Sequence, residues 1–235
     1  MNAIWAITRK EVRSYFNSFI PYALAAFYVL INAIFFTGLV ATSRQATMRD
    51  MFGTMAIILL FVLPFLTMRL LAEEEASGTV ELLLTAPVRD WEVVVGKYLA
   101  AMIVLATMLA VTLFFPFFLF RFGNPDPWPI ASGYLGLLLI GAVVVAVGIF
   151  ASSLTKQQLV AGAIAFFLLI ALWIIDFIAS PFPALSQITA KITLNGRAQD
   201  LWQGVIDTKD LVFFLSVIVV MLFVTSQIVQ SRRWR

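Results

Sequence analysis

The amino-acid sequence predicts an all-α membrane protein with six transmembrane helices, preceded by an interfacial helix at the amino terminus. Three observations lead to this fold class. Of the 235 residues, 62% are hydrophobic and only 12% are charged, which is about half the charge of a soluble domain. Six apolar runs each approach the ~20 residues that a helix needs to cross a bilayer. Charged residues or clusters of Pro and Gly separate these runs, as they commonly separate helices.

The apolar runs define the predicted spans and leave too few residues for a separate soluble domain. Residues 1–235 are therefore predicted to form a single membrane domain. In chain order the predicted spans are 20–40, 52–71, 98–120, 130–154, 159–177 and 211–229. Only a few residues separate spans four and five, which predicts a tight antiparallel helical hairpin.

The first 18 residues are predicted to form an interfacial elbow helix that leads into span one at Pro21. At 100° per residue, Arg9, Lys10 and Arg13 lie on one arc, opposite a set of apolar and aromatic side chains. Glu11 is the exception, because it lies near the apolar edge. A basic and aromatic amphipathic helix is typical of a membrane surface, although a frayed basic tail would carry the same charges.

The distribution of Lys and Arg predicts that both termini are cytoplasmic. An even number of spans places both ends on one side, and basic residues concentrate next to the first and last spans. With both tails inside, the inner segments hold ten Lys or Arg residues and the outer segments hold six. Because these residues flank spans and form no stripe, they indicate membrane lipids as partners and no nucleic acid.

Two residue types that often support catalysis are missing from the sequence. There is no Cys and no His, which removes thiolate and imidazole metal ligands and the commonest general base. The single Gly-Lys pair, Gly96-Lys97, does not belong to a phosphate-binding loop. Trp91 and Tyr98 occupy the positions where that motif needs Gly and either Ser or Thr. We therefore expect no enzyme activity in this chain, and we predict that Lys97 is an anchor at the membrane surface.

The segment between spans two and three is the most informative part of the sequence. Residues 69–97 hold nine of the 29 charged residues, and six of the nine are acidic. Two short helices are predicted here, with interruptions at Ser77-Gly78 and at Pro87. Thr79 is a candidate helix cap. A solvated acidic loop with one amphipathic turn would also explain this composition.

This segment resembles the inner loop of ABC-2-type transporter permeases. The resemblance consists of an acidic cluster after span two, a Gly-Thr pair, a Leu-rich helix, a Pro, and Gly-Lys at the start of span three. It extends over nearly the whole chain, through an elbow helix, six spans and a long outer segment before the last span. The chain is particularly similar to the compact six-span permeases of the gliding-motility and nitrous-oxide-reductase-accessory groups.

The resemblance implies a cytoplasmic coupling helix between spans two and three, within residues 72–92, that docks on an ABC ATPase subunit. Its acidic residues are expected to meet basic or polar groups of that subunit, and its leucines to fill an apolar cleft. The residues assigned to this contact are Glu73, Glu74, Glu75, Gly78, Thr79, Glu81, Leu82, Leu83, Leu84 and Pro87. ATP and Mg are expected on two copies of the ATPase subunit, so the chain itself holds no cofactor. A second permease copy, or a close relative, is expected to complete the membrane domain.

The resemblance further implies export of a substrate across a bacterial or archaeal plasma membrane. Spans that are nearly free of charge disfavour an ion-coupled carrier. The outer segment, residues 178–210, contains a short predicted helix near 198–205, which is a candidate external gate. The alternative function is a non-transporting membrane anchor that couples a cytoplasmic ATPase to an extracytoplasmic partner protein.

Two features within the spans leave alternatives open. The small residues Gly148 and Ser152 in span four, and Ala161 and Ala165 in span five, predict close helix packing within the chain, or else a seam between two copies. Pro116 is predicted to break span three near its outer end, inside a Phe-rich stretch. That stretch is either a lipid-facing aromatic belt or the wall of an apolar exit path.

Overall fold

The computed structural model describes residues 3–43, 47–76, 88–179 and 193–232, and every regular element in these ranges is an α-helix. The all-α fold class is therefore confirmed. In chain order the helices are α1 (Ala3–Phe16), α2 (Phe19–Ser43), α3 (Arg49–Thr67), α4 (Ala72–Ala76), α5 (Asp90–Thr112), α6 (Phe114–Phe122), α7 (Pro127–Ser152), α8 (Gln158–Ala179), α9 (Leu194–Trp202) and α10 (Thr208–Arg232).

The membrane-spanning helices occur where the sequence predicts them. Helix α8 lies at the predicted fifth span, and its 22 residues rise about 33 Å, close to the ~30 Å hydrocarbon thickness of a bilayer. Within the described ranges, five further helical stretches are long and apolar enough to cross a membrane: Phe19–Ala41, Arg49–Ala76, Asp90–Phe122, Pro127–Ser152 and Thr208–Ser231. Spans one to six are therefore α2, α3, α5 with α6, α7, α8 and α10.

Helix α7 is the centre of the bundle, and its small residues let the neighbouring helices approach closely. Most of its residues are buried, and α3, α5, α8, α9 and α10 all pack against it. A side chain at Gly141 would lie 2.6 Å from Leu105 Cδ2 of α5. A side chain at Gly148 would collide with Thr67 of α3. The close contact at Gly148 is therefore made with span two. Span five also packs on α7 and buries Ala161 and Ala165, so these small residues make contacts within the chain, the first of the two predicted alternatives.

The third span is interrupted near its end, as predicted from Pro116. Helix α5 ends at Thr112 and α6 begins two residues later. Pro116 has no N–H to donate to the carbonyl of Thr112, four residues earlier. The hydroxyl of Tyr134 in α7 donates to that carbonyl at 2.8 Å. This bond replaces the missing one, which a backbone oxygen inside a membrane requires.

Helix α9 packs on the end of the bundle opposite α1. It begins four residues earlier than the helix predicted near 198–205. It ends before Gly204, whose φ of 94° lies in the left-handed region that favours Gly after a helix. The indole N–H of Trp128 donates to the Gly204 carbonyl at 2.7 Å. Nη1 of Arg197 lies 2.8 Å from Oδ1 of Asp210, so α9 is tied to both α7 and α10.

Replacing Tyr134 with Phe is expected to destabilise the bundle by about 1 kcal/mol, because the Thr112 carbonyl loses its donor. In a Pro116→Ala background the helix regains an N–H, so the same replacement is expected to cost less. Unfolding in detergent, followed by circular dichroism, measures both differences. Tyr22→Phe is the control, since the Tyr22 hydroxyl donates to the exposed carbonyl of Phe16. An equal loss of unfolding free energy in the unmodified chain and in the Pro116→Ala background would show that Tyr134 does not compensate for the missing N–H of Pro116.

Candidate functional site

Helix α1 docks against the first turns of α5 at Gly96. A side chain at this position would lie 2.8 Å from Ile7 Cγ2 and 3.2 Å from the carbonyl oxygen of Ile4. The hydroxyl of Thr8, which is buried, donates to the Gly96 carbonyl at 3.1 Å. Only Gly allows the two helices to approach this closely, so Gly96 positions α1 on the bundle.

The face of α1 that meets the bundle overlaps only in part with the predicted apolar arc. That arc contains Trp5, which is 57% exposed, and Tyr15, which packs against the core. The packed face also contains Thr8 and Glu11, whose spacing places them on the same side of the helix as Tyr15. The Tyr15 hydroxyl donates to the carbonyl of Leu66 in α3 at 3.1 Å. Burial raises the pKa of Tyr15 far above its ordinary value, so the hydroxyl keeps the proton that it donates.

A buried ion cluster of Lys97, Glu11 and Glu74, here called the Lys97 cluster, joins α5, α1 and α4. Lys97 is 1% exposed, and its Nζ lies 2.9 Å from Glu74 Oε1 and 3.2 Å from Glu11 Oε1. A buried ammonium costs several kcal/mol unless carboxylates neutralise it. The prediction that Lys97 is an anchor at the membrane surface is therefore wrong, because three helices enclose its charge.

Two further ion pairs hold α4 on either side of the cluster. Arg69, in the turn before α4, donates its Nε and Nη2 to the two carboxylate oxygens of Glu73 at 2.8 and 2.9 Å. Nζ of Lys156, in the short segment between α7 and α8, lies 3.8 Å from Oε1 of Glu75. Both pairs are partly exposed, and exposed pairs contribute less than buried ones. Three consecutive glutamates thus reach three different parts of the chain.

Ser152, the last residue of α7, fixes the backbone turn that leads into α4. Its hydroxyl oxygen accepts the N–H groups of Leu71 and Ala72, both at 3.0 Å. The same hydroxyl donates to the carbonyl of Met68 at 3.1 Å. The first N–H groups of a helix have no partner inside that helix, so Ser152 caps α4 from a distant part of the chain. The sequence predicted Ser152 only as a small residue at a helix contact.

Three of the ten residues that the sequence assigned to a partner contact lie in the described structure. Glu73, Glu74 and Glu75 belong to α4, and they form ion pairs within the chain. The other seven lie outside the described residues: Gly78, Thr79, Glu81, Leu82, Leu83, Leu84 and Pro87. Glu11 and Ser152 were not predicted as site residues. The signal for Glu11 was its position near the apolar edge of α1, whereas nothing in the sequence marks Ser152, whose N–H partner Ala72 is 80 residues away.

Comparison with known families gives one match. A family model described as "ABC-2 family transporter protein" matches residues 5–234, a range that contains the Lys97 cluster, Ser152 and all the spans. The family-level resemblance inferred from the segment between spans two and three is therefore confirmed. No individual curated protein matches the chain.

Replacing Lys97 with Met is expected to lower the free energy of unfolding by about 3 kcal/mol, because Glu11 and Glu74 then lose their buried cation and keep only the exposed Lys10, whose Nζ lies 3.7 Å from each. Lys156→Met is the matched control, since Lys156 is 73% exposed and its pair is expected to contribute at most ~1 kcal/mol. Denaturation in detergent, followed by tryptophan fluorescence, measures both variants. An unchanged transition for Lys97→Met would show that the cluster does not hold the three helices together.

Proposed function

Because the chain belongs to the ABC-2 family of transporter proteins, we propose that it exports a substrate with energy from ATP that a separate subunit hydrolyses. Family membership makes the chain a membrane-embedded permease subunit and the partner of an ABC ATPase. ATP, Mg and the catalytic residues are assigned to two copies of that ATPase. The direction of transport rests on likeness to the family, which is mostly exporters. The finer resemblance to the gliding-motility and nitrous-oxide-reductase-accessory groups stays a prediction.

The observation that carries the proposal is the attachment of α4 to three spans. Helix α4 continues from α3 through a short turn, the Lys97 cluster binds it to α5 and α1, and Ser152 binds its start to α7. A rigid-body displacement of α4 is therefore passed to spans two, three and four together. Transmission of a nucleotide-driven motion into a membrane bundle requires an attachment of this kind.

We assign the contact with the ATPase subunit to residues 78–87, which connect α4 to α5. Both flanks of this segment are fixed, since α4 is held as above and the Glu92 carboxylate at the start of α5 accepts the N–H of Arg89 at 2.8 Å. Glu73, Glu74 and Glu75 then act by holding α4 in position. The proposed contact residues are Gly78, Thr79, Glu81, Leu82, Leu83, Leu84 and Pro87.

A second permease copy, or a close relative, completes the proposed transporter. The apolar cavity between the described parts of spans two, four and five measures about 20 Å³, little more than one water needs, so it is too small to hold a substrate. A passage between two copies avoids this obstacle. Of the five longest spans, one and six are the least buried, and they offer apolar surface to a second copy.

In the proposed transporter both termini lie in the cytoplasm, and the permease lies in the plasma membrane of a bacterial or archaeal cell.

A second candidate function is mechanical transmission without transport. Helix α9 is fixed to the bundle end opposite α4 by the Arg197–Asp210 ion pair and by buried Leu201 and Trp202. A movement of spans four and six therefore displaces α9, which is then either the external gate of a transporter or a docking surface for an extracytoplasmic partner protein. ATPase activity of the purified complex that responds to substrate indicates transport. Activity that responds only to a protein partner indicates transmission.

Leu83→Ser is expected to weaken capture of the ATPase subunit at least tenfold, because an apolar cleft loses a leucine worth ~1.5–3 kcal/mol of burial. The measurement co-expresses the chain with each candidate ABC ATPase of the source genome and compares pull-down and ATPase activity. Val205→Ser is the control, since Val205 is 55% exposed in the outer segment. Unchanged capture and activity in both Leu83→Ser and Glu81→Lys would overturn the assignment of this contact.

Ser152→Ala is expected to leave capture of the ATPase subunit intact and to reduce its stimulated activity severalfold. The substitution removes the cap of α4, worth about 1 kcal/mol, and loosens α4 from α7. Ser226→Ala is the matched control, because the Ser226 hydroxyl donates only within its own helix, to Phe223. Full stimulated activity in Ser152→Ala would show that motion does not reach the bundle through this turn.

A further inference from the structure

A cavity of about 270 Å³ lies beside the Lys97 cluster, between α1, the start of α2, the end of α3 and α4. This volume is more than ten times the ~15 Å³ that one water needs, so the cavity has room for a polar group of several atoms. Its lining contains as many cations as anions. The charged residues that line it are Lys10, Arg69, Lys97, Glu11, Glu73 and Glu74.

The mouth of the cavity meets the lipid-facing surface of the bundle. Ile20 and Pro21, at the start of span one, border it together with Phe65 in the last turns of span two. Phe65 is 54% exposed and Ile20 is 36% exposed. The cavity therefore opens where the charged end of the bundle meets hydrocarbon, which is the level of lipid headgroups. A ligand that fills both regions has a charged head and apolar chains.

Two cations in the lining have capacity for an anion beyond their described ion pairs. Arg69 uses two N–H donors on Glu73, and a guanidinium has five. Nζ of Lys10 lies 3.7 Å from both Glu11 and Glu74, which is beyond hydrogen-bond distance. The Lys10 side chain is also 68% exposed, so it can turn towards another anion. A phosphate accepts charge-assisted hydrogen bonds from both cation types.

The carboxylates in the lining favour a lipid headgroup that carries an ammonium group as well as a phosphate. Glu73 is 46% exposed and can accept hydrogen bonds from an incoming ammonium group. A headgroup with phosphate alone would bring further negative charge towards three glutamates. A choline headgroup carries positive charge but has no N–H to donate. A headgroup that joins a phosphate to a primary amine can pair with both the cations and the carboxylates of the lining.

We propose that this cavity binds the phosphoethanolamine headgroup of a membrane phospholipid, whose acyl chains lie along Phe65 and Ile20. The phosphate accepts hydrogen bonds from Arg69 and Lys10, and the ammonium group donates to Glu73. Bound in this way, the lipid joins α1 to the ends of spans one and two. The inference concerns lipid binding by the chain itself, so it stands or falls independently of the ATPase partner and of transport.

The test titrates the purified, delipidated full-length chain with single lipids and counts bound molecules by native mass spectrometry. The probes are phosphatidylethanolamine, phosphatidylcholine, phosphatidylglycerol and inorganic phosphate. Lys10→Gln removes one phosphate donor, and Ser14→Trp fills the cavity, which Ser14 also lines. Arg9→Gln and Asn17→Trp are the matched controls, because Arg9 on α1 and Asn17 in the turn after it are both exposed and lie outside the cavity lining.

We expect one phosphatidylethanolamine to bind the unmodified chain about tenfold more tightly than the other two lipids, as loss of a charge-assisted hydrogen bond predicts. Lys10→Gln and Ser14→Trp are each expected to remove about tenfold of this affinity, and the two controls none. Equal binding of all three lipids would overturn the proposal, as would equal loss in the control variants. Preference for phosphatidylglycerol would make this an anion site, and competition by inorganic phosphate alone would make the ligand a free ion; either result overturns the proposal.

Discussion

The burial of one positive charge determines how the amino-terminal face of the bundle is assembled. Lys97 loses its water when α1 and α4 close over the start of span three, so its ammonium needs carboxylates from both helices. Its partner Glu11 lies 86 residues earlier in the chain. Because each carboxylate must come within hydrogen-bond reach of one nitrogen, the cluster fixes where α1, α4 and α5 lie relative to each other.

Two breaks in the described helices are bridged by hydrogen bonds from α7. The carbonyl left without a donor by Pro116 accepts the hydroxyl of Tyr134, and the N–H groups exposed between α3 and α4 bond to Ser152. Inside a membrane no water replaces such bonds, so a broken helix needs a polar side chain from a neighbour. The central helix thus bonds to the backbone at both breaks, which is consistent with a bundle moved through α4.

The sequence predicted those features that depend on one segment alone. The six apolar spans, the helix at the amino terminus and the break at Pro116 all follow from local composition, helical periodicity or a backbone without an N–H. The features it did not predict depend on two segments. Trp5 and Tyr15 were placed on one apolar arc of α1, and Lys97 at the membrane surface, because the pattern of one helix does not identify its neighbour.

The sequence by itself determined that this is a membrane bundle, since the length of an apolar run needs no partner to be interpreted. Only the tertiary structure showed which of the few charged residues form ion pairs with each other. Glu11, Glu74 and Lys97 come together only after three helices pack, because the free energy of each buried charge depends on atoms supplied by the other two helices.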